Sequence, residues 1–164
     1  MTKAEFQGLF NADVNKNYAF VLPVKQKIFD LAGKVYDALV KPPVNVTAAT
    51  TLTIDDSGKL FSLNAAAGAQ ITLPAVATSG GFNARFFVAL AFATTNWTIK
   101  AATNKIQGGA IVNSTFVPGA DENTISFVAT AETLGDFIEL YCDGTNWYAN
   151  GVAAAAGGIT FTAP

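Results

Sequence analysis

The sequence predicts a mainly β fold, a β-sandwich or jelly-roll-like antiparallel domain preceded by a short α-helical N-terminal region. Three observations lead there. From residue 44 onward, short apolar and β-branched runs recur between turn signals. Before Lys41-Pro42-Pro43 the apolar residues fall instead at helical spacing. A count of 13 phenylalanines and two tryptophans among 164 residues supplies enough bulk for one packed core.

Residues 1–43 form the helical arm. Thr2 and Glu5 have the spacing of a capping box, and Phe6, Leu9 and Phe10 follow at helical intervals. A second helix is expected to begin near Pro23, a residue suited to a first turn. Val24, Ile28, Leu31, Val35 and Leu39 then recur at steps of four, three, four and four, which makes one apolar stripe. Pro42-Pro43 ends the helix, since neither residue donates a backbone hydrogen bond and Pro42 drives Lys41 out of helical geometry. The stripe needs a surface to pack on, either the protein's own sheet or a partner.

Residues 44–164 form the β-rich domain. Its expected strands are 44–54, 59–63, 70–73, 84–93, 97–101, 110–114, 124–129, 136–142 and 146–150. Turns are expected at Asp55-Asp56-Ser57-Gly58, Ser79-Gly80-Gly81, Gly108-Gly109, Pro118-Gly119 and Asp143-Gly144. The Ala- and Gly-rich stretch after Gly151 has no clear period and is expected to be a flexible tail, with Ile159 and Phe161 as a terminal hook.

Two segments say more. In 84–93 the even positions Phe86, Val88, Leu90 and Phe92 make a large apolar face. The odd positions Phe87, Ala89, Ala91 and Ala93 make a flat one. A strand without a polar face is expected to be covered on both sides. In the hairpin around Asp143-Gly144, alternation puts Ile138, Leu140, Cys142, Trp147 and Ala149 on one side and Glu139, Tyr141 and Tyr148 on the other. Burial of Trp147 is expected to contribute about 2–3 kcal/mol. Cys142, on the same inward side, reads as a small buried hydrophobe.

Composition excludes several chemistries. The chain has no histidine and one cysteine, so histidine-dependent nucleophilic catalysis, imidazole metal sites and intrachain disulfides are ruled out. A net charge of −2 provides no cationic field for nucleic acid. No long apolar span predicts a membrane segment, and the start Met1-Thr2-Lys3-Ala4-Glu5 does not read as a signal peptide, which predicts synthesis in the cytoplasm. Asp55-Asp56 lacks the later ligands of a calcium loop and reads as a turn. Asp121-Glu122, or Asp136 with Glu139, are the weak candidates for a carboxylate pair. Nothing calls for a cofactor.

One ordered set of segments resembles a known family. Thr51-Leu52-Thr53-Ile54-Asp55-Asp56-Ser57-Gly58-Lys59-Leu60-Phe61 leads to Gln70-Ile71-Thr72-Leu73-Pro74 and Asn96-Trp97-Thr98-Ile99-Lys100. Then come Gly135-Asp136-Phe137-Ile138-Glu139-Leu140 and Asp143-Gly144-Thr145-Asn146-Trp147-Tyr148. Together, over about residues 44–161, they resemble the β-rich domains of tailed-bacteriophage virion proteins, especially capsid decoration (cement) proteins and fibres. The resemblance implies a non-enzymatic structural protein, commonly a trimer, carried on the virion.

The leading expectation is therefore a decoration protein on the capsid surface. Its β domain would form a homo-oligomer, with a trimer favoured, through Phe87, Ala89, Ala91, Ala93, Tyr141 and Tyr148. The arm would seat on the major capsid protein through Phe6, Leu9, Phe10, Ile28, Leu31, Val35 and Leu39. Neither nucleic acid nor membrane is expected as a partner. A second expectation, of another class, is a receptor- or glycan-binding tip using Tyr141, Tyr148, Phe82 and the acidic turns. A carbohydrate-degrading virion enzyme is the third.

Overall fold

In this computed structural model the structure describes residues 2, 4–5, 22–39, 42–102 and 105–163. The chain divides into two compact units, Met1–Pro42 and Pro43–Pro164.

In the first unit the capping box forms as its spacing requires. The Thr2 amide donates to Glu5 Oε2 at 2.6 Å, and the Glu5 amide donates to Thr2 Oγ1 at 3.2 Å. Helix α1 spans Leu22–Leu39, with Pro23 inside its first turn. Along the expected stripe, Ile28 is half-buried, whereas Leu31 and Val35 are exposed. The backbone of Leu39 closes the helix. Phe6, Leu9 and Phe10 lie outside the described residues.

Among the described residues, the second unit holds twelve strands in two sheets. They are β1 (Val44–Val46), β2 (Thr50–Thr51), β3 (Lys59–Leu63), β4 (Gln70–Thr72), β5 (Asn83–Val88) and β6 (Trp97–Lys100) in the first half. The second half holds β7 (Ile106–Val112), β8 (Thr115–Glu122), β9 (Thr124–Phe127), β10 (Phe137–Cys142), β11 (Trp147–Ala153) and β12 (Ile159–Thr162). The seven-stranded sheet runs β1-β3-β5-β10-β11-β7-β8, and the five-stranded sheet runs β12-β9-β6-β4-β2. The mainly β, two-sheet expectation holds, but the pairing is mixed rather than antiparallel.

The reason lies in the path of the chain. Through β1–β6 it steps alternately from one sheet to the other, so β1, β3 and β5 pair in parallel, as do β2, β4 and β6. This half is wound like a flattened coil. The second half contains hairpins: β7 pairs antiparallel with β8, and β10 with β11. Parallel pairing returns once, between β11 and β7.

One apolar core lies between the sheets. Phe61, Phe86, Ile138, Leu140 and Trp147 enter it from the larger sheet, and Ile71, Trp97, Ile99, Ile125 and Phe127 from the smaller, all at 0–1% exposure. Phe61 stacks on Phe86 with centroids 5.1 Å apart, and Phe82 meets Trp147 edge-on at 5.2 Å. Leu140, Cys142, Trp147 and Ala149 all face inward, as alternation predicts.

Several expectations about elements need correction. The strand expected over 44–54 is two short strands, β1 and β2, in different sheets, and the one expected over 110–114 ends at Val112. The strand expected over 84–93 is β5 and stops at Val88, so residues 89–93 are loop. There Ala89, Ala91 and Ala93 are exposed and form no flat strand face, while Phe92 alone turns inward. Gly108-Gly109 and Pro118-Gly119 are not turns either. They sit opposite one another inside β7 and β8, beside a register shift. A Cβ at Gly108, whose φ is +105°, would come within 2.3 Å of the Ala149 carbonyl oxygen, so the glycine permits close strand approach. Pro118 is tolerated because β8 is an edge strand. The turn is Asn113-Ser114, with φ of 48° and 63°, which gives a tight two-residue hairpin.

The C-terminal stretch is ordered, not a free tail. β12 pairs with β9, Ile159 is buried, and the Phe161 ring lies against Gly119 of β8, where a Cβ would be 2.6 Å from the ring. This contact links the edges of the two sheets. Asp136 fastens the same end. Buried at 5% exposure, it accepts hydrogen bonds from the Thr133 amide at 2.8 Å and the Ala154 amide at 2.9 Å.

Candidate functional site

Strand alternation gives the seven-stranded sheet an inner face in the core and an outer face clear of it. Across the outer face the registers align side chains into three rows. The first runs Phe87, Phe137, Val152, Ile111 and Phe116 over five neighbouring strands, β5, β10, β11, β7 and β8. Val152, Ile111 and Phe116 are 42%, 50% and 62% exposed. The second row runs Arg85, Glu139, Asn150, Gly109 and Pro118. The Phe116 ring leans over Gly109, where a Cβ would be 2.6 Å from it. The third row is Asn83, Tyr141, Tyr148 and Gln107.

At the β3–β5–β10 side of this face is an open depression of about 510 Å³. Its walls include Lys59, Asn83, Arg85, Phe87, Glu139 and Tyr141. The Arg85 guanidinium lies 3.9 Å from the centroid of the Phe137 ring, a cation–π contact that fixes the side chain. Arg85 Nη1 stands 3.6 Å from Glu139 Oε1, and the Tyr141 hydroxyl donates to Glu139 Oε2 over 3.4 Å. Both separations exceed those of strong hydrogen bonds, so these groups keep capacity for other partners. Lys59 pairs with Asp56 at 2.6 Å. Burial pushes the Asp56 carboxyl up, but hydrogen bonds from Lys59 and the Thr53 amide, with the lysine's charge, outweigh it and leave the group below its ordinary value.

A second polar cluster caps the hairpin beneath the tyrosines. Asp143 Oδ1 accepts from the Thr145 amide at 2.6 Å and the Asn146 amide at 2.7 Å, and the Tyr148 hydroxyl donates to Oδ2 at 3.0 Å. The Asn146 and Thr145 amides hold this carboxyl below its ordinary value.

The residues singled out from sequence divide accordingly. Tyr141 and Tyr148 are directly opposed on the outer face and exposed, as expected. Phe87 joins them there, whereas Ala89, Ala91 and Ala93 lie in the adjoining loop. Phe82 is buried at 1% exposure against Trp147, which removes it from any surface site. Asp136 is committed to backbone amides inside the fold and Glu139 faces the outer depression, so they do not form a working carboxylate pair. Asp121 instead accepts from Gln107 Nε2 at 2.7 Å.

Burial pushes the Cys142 thiol up, and the Asp143 charge adds to this against the Gly144 amide, so no thiolate nucleophile is poised there. Asp55 and Asp56 form a 3-10 turn in which the Asp56 carboxylate accepts from the Thr53 amide at 2.8 Å. Among the described residues no cluster of three acidic or cysteine side chains could hold a metal ion, and no helix is long and apolar enough to cross a membrane.

Sequence reasoning missed Phe137, Val152, Ile111 and Phe116 as one surface. Phe137 and Ile111 fall in expected strands, Val152 in the expected tail and Phe116 in no expected element, and the row exists only through long-range register. Fold and surface together define a mainly β, two-sheet protein whose larger sheet exposes Val152, Ile111 and Phe116 on its outer face. Comparison with protein families, curated proteins and solved structures finds no match to the chain.

Proposed function

We propose that this chain is a non-enzymatic structural protein, in its specific form a capsid decoration (cement) protein of a tailed phage. It self-associates and stabilises the head. The observation that carries the reading is the row Phe87, Phe137, Val152, Ile111 and Phe116, half-buried at its two phenylalanines on β5 and β10 and exposed at the other three residues. A contiguous apolar strip on an ordered sheet marks an interaction surface, and a rigid sheet presents it with little ordering cost. Leu31 and Val35 on α1 add a second exposed apolar site, suited to the major capsid protein. Two attachment points per subunit, multiplied by oligomerisation, would stabilise a particle by linked binding without chemistry.

Light scattering on the purified chain, together with its copy number on intact particles, tests this. The expected result is a mass that is a small multiple of 17.1 kDa, with copies in number comparable to capsid subunits. A monomer at all concentrations, or a handful of copies confined to the tail, overturns it.

A further inference from the structure

The depression beside the apolar row has a composition that assembly does not explain. We propose that it is a binding site for a neutral saccharide, held by Asn83, Arg85, Glu139 and Tyr141. Its volume, about 510 Å³, falls within the range of about 300–1,000 Å³ usual for small-ligand sites.

Charge selects the ligand class. Arg85 stands beside Glu139, and Lys59 is paired with Asp56, so the walls offer no excess cation for a phosphate or carboxylate. What remains is a small set of planar donors and acceptors on a largely apolar wall. Arg85 brings several N–H donors, Glu139 several lone pairs, and Asn83 both kinds. Sugar hydroxyls donate and accept at once, and such a mixed set matches them. The exposed Tyr141 ring supplies an apolar face for the C–H side of a pyranose.

Two features make the site ready rather than self-satisfied. Arg85 is braced on Phe137, so less side-chain freedom is lost on binding. Its 3.6 Å distance to Glu139, and the 3.4 Å between Tyr141 and Glu139, leave hydrogen-bond capacity for hydroxyls to take up. The depression opens over β3, β5 and β10, while the apolar row extends away to β8. A partner confined to Val152, Ile111 and Phe116 leaves the site accessible, whereas one that also covers Phe87, which the row and the depression share, closes it.

The test is an amide chemical-shift titration of the full chain with D-glucose, D-galactose, D-mannose, N-acetyl-D-glucosamine and lactose. N-acetylneuraminic acid and inorganic phosphate serve as anionic probes. At least one neutral sugar is expected to shift the Asn83, Arg85, Gly135 and Tyr141 amides. Asn83→Ala and Glu139→Gln should each weaken that sugar about tenfold, with thermal midpoint and oligomeric mass unchanged. The proposal is overturned if no neutral sugar moves these amides, if shifts map elsewhere, if only the anions bind, or if both variants bind like the parent. Because mass is read separately, loss of sugar binding and failure of the assembly role give different results.

Discussion

Trp147 and Tyr148 are neighbours on one strand, and they show how differently the two faces of the seven-stranded sheet are used. Trp147 is completely buried, whereas Tyr148 is 43% exposed. Both faces carry aromatic and branched residues, but the outer one also carries the polar rows through Arg85, Glu139 and Asn150 and through Asn83 and Gln107. The two differ above all in partnership. The inner face is covered by the five-stranded sheet, and the outer face has no sheet over it. Side chains on the inner face therefore determine whether the unit folds, and those on the outer face determine what it meets.

The sharpest way to break this contrast is to truncate the two neighbours in turn. Trp147→Ala should cost about 3–5 kcal/mol in urea unfolding, through lost burial and a cavity beside Phe82. Tyr148→Ala should cost under about 1 kcal/mol. Equal losses would mean that the outer face is also structurally buried, for instance within an obligate oligomer. Next in size is Asp136→Ala, which strips the acceptor from two backbone amides, Thr133 and Ala154. It should cost about 2–4 kcal/mol, while Asp136→Asn, which retains one acceptor, should recover part of the loss.

Charges placed on the outer row sharpen the comparison from the other side. Ile111→Lys combined with Phe116→Lys should change unfolding stability by no more than about 1 kcal/mol, as surface substitutions do. The same pair should reduce the light-scattering mass to that of one chain, because desolvating lysines in an apolar contact is unfavourable. A double variant that keeps the parent's mass would remove this row from the assembly surface.

The local half of this fold was legible in the sequence and the long-range half was not. The α1 helix, the Asp143-Gly144 hairpin and the inward set Leu140, Cys142 and Trp147 follow from periods of 3.6 and 2, which neighbouring residues carry. Gly108-Gly109 misled because glycine serves both turns and close strand approach, and only the contact with Ala149 distinguishes them. The reach of β5 was overestimated because residues 89–93 alternate like a strand, although the ladder ends at Val88 and beyond it the Ala89 and Leu90 amides share the single Leu63 carbonyl of β3. The Ala-rich end lacks period, yet Ile159 and Phe161 find β9 and Gly119 across the molecule. The candidate site was half visible. Tyr141, Tyr148 and Glu139 follow from the hairpin, whereas Arg85 and Asn83 reach them only through the β5–β10 pairing.

The smallest expected effect concerns pH and the hairpin that carries the tyrosines. Asp143 has a folded-state pKa below its ordinary value of 3.8, because the Asn146 and Thr145 amides favour the carboxylate. A group depressed on folding contributes stability that is fully present above its unfolded value and disappears as pH falls through the folded one. The contribution should therefore be intact at neutral pH and fade below about pH 4. NMR titration should place the Asp143 midpoint below 3.8. Asp143→Asn should flatten the acid limb of stability against pH, and the Tyr148 ring resonances should shift as its hydroxyl loses the carboxylate. The Asp56→Asn variant should flatten the same limb without moving Tyr148, since Asp56 is bound to Lys59 and Thr53 instead. A Tyr148 response to both variants would mean that the two turns are coupled through the outer face.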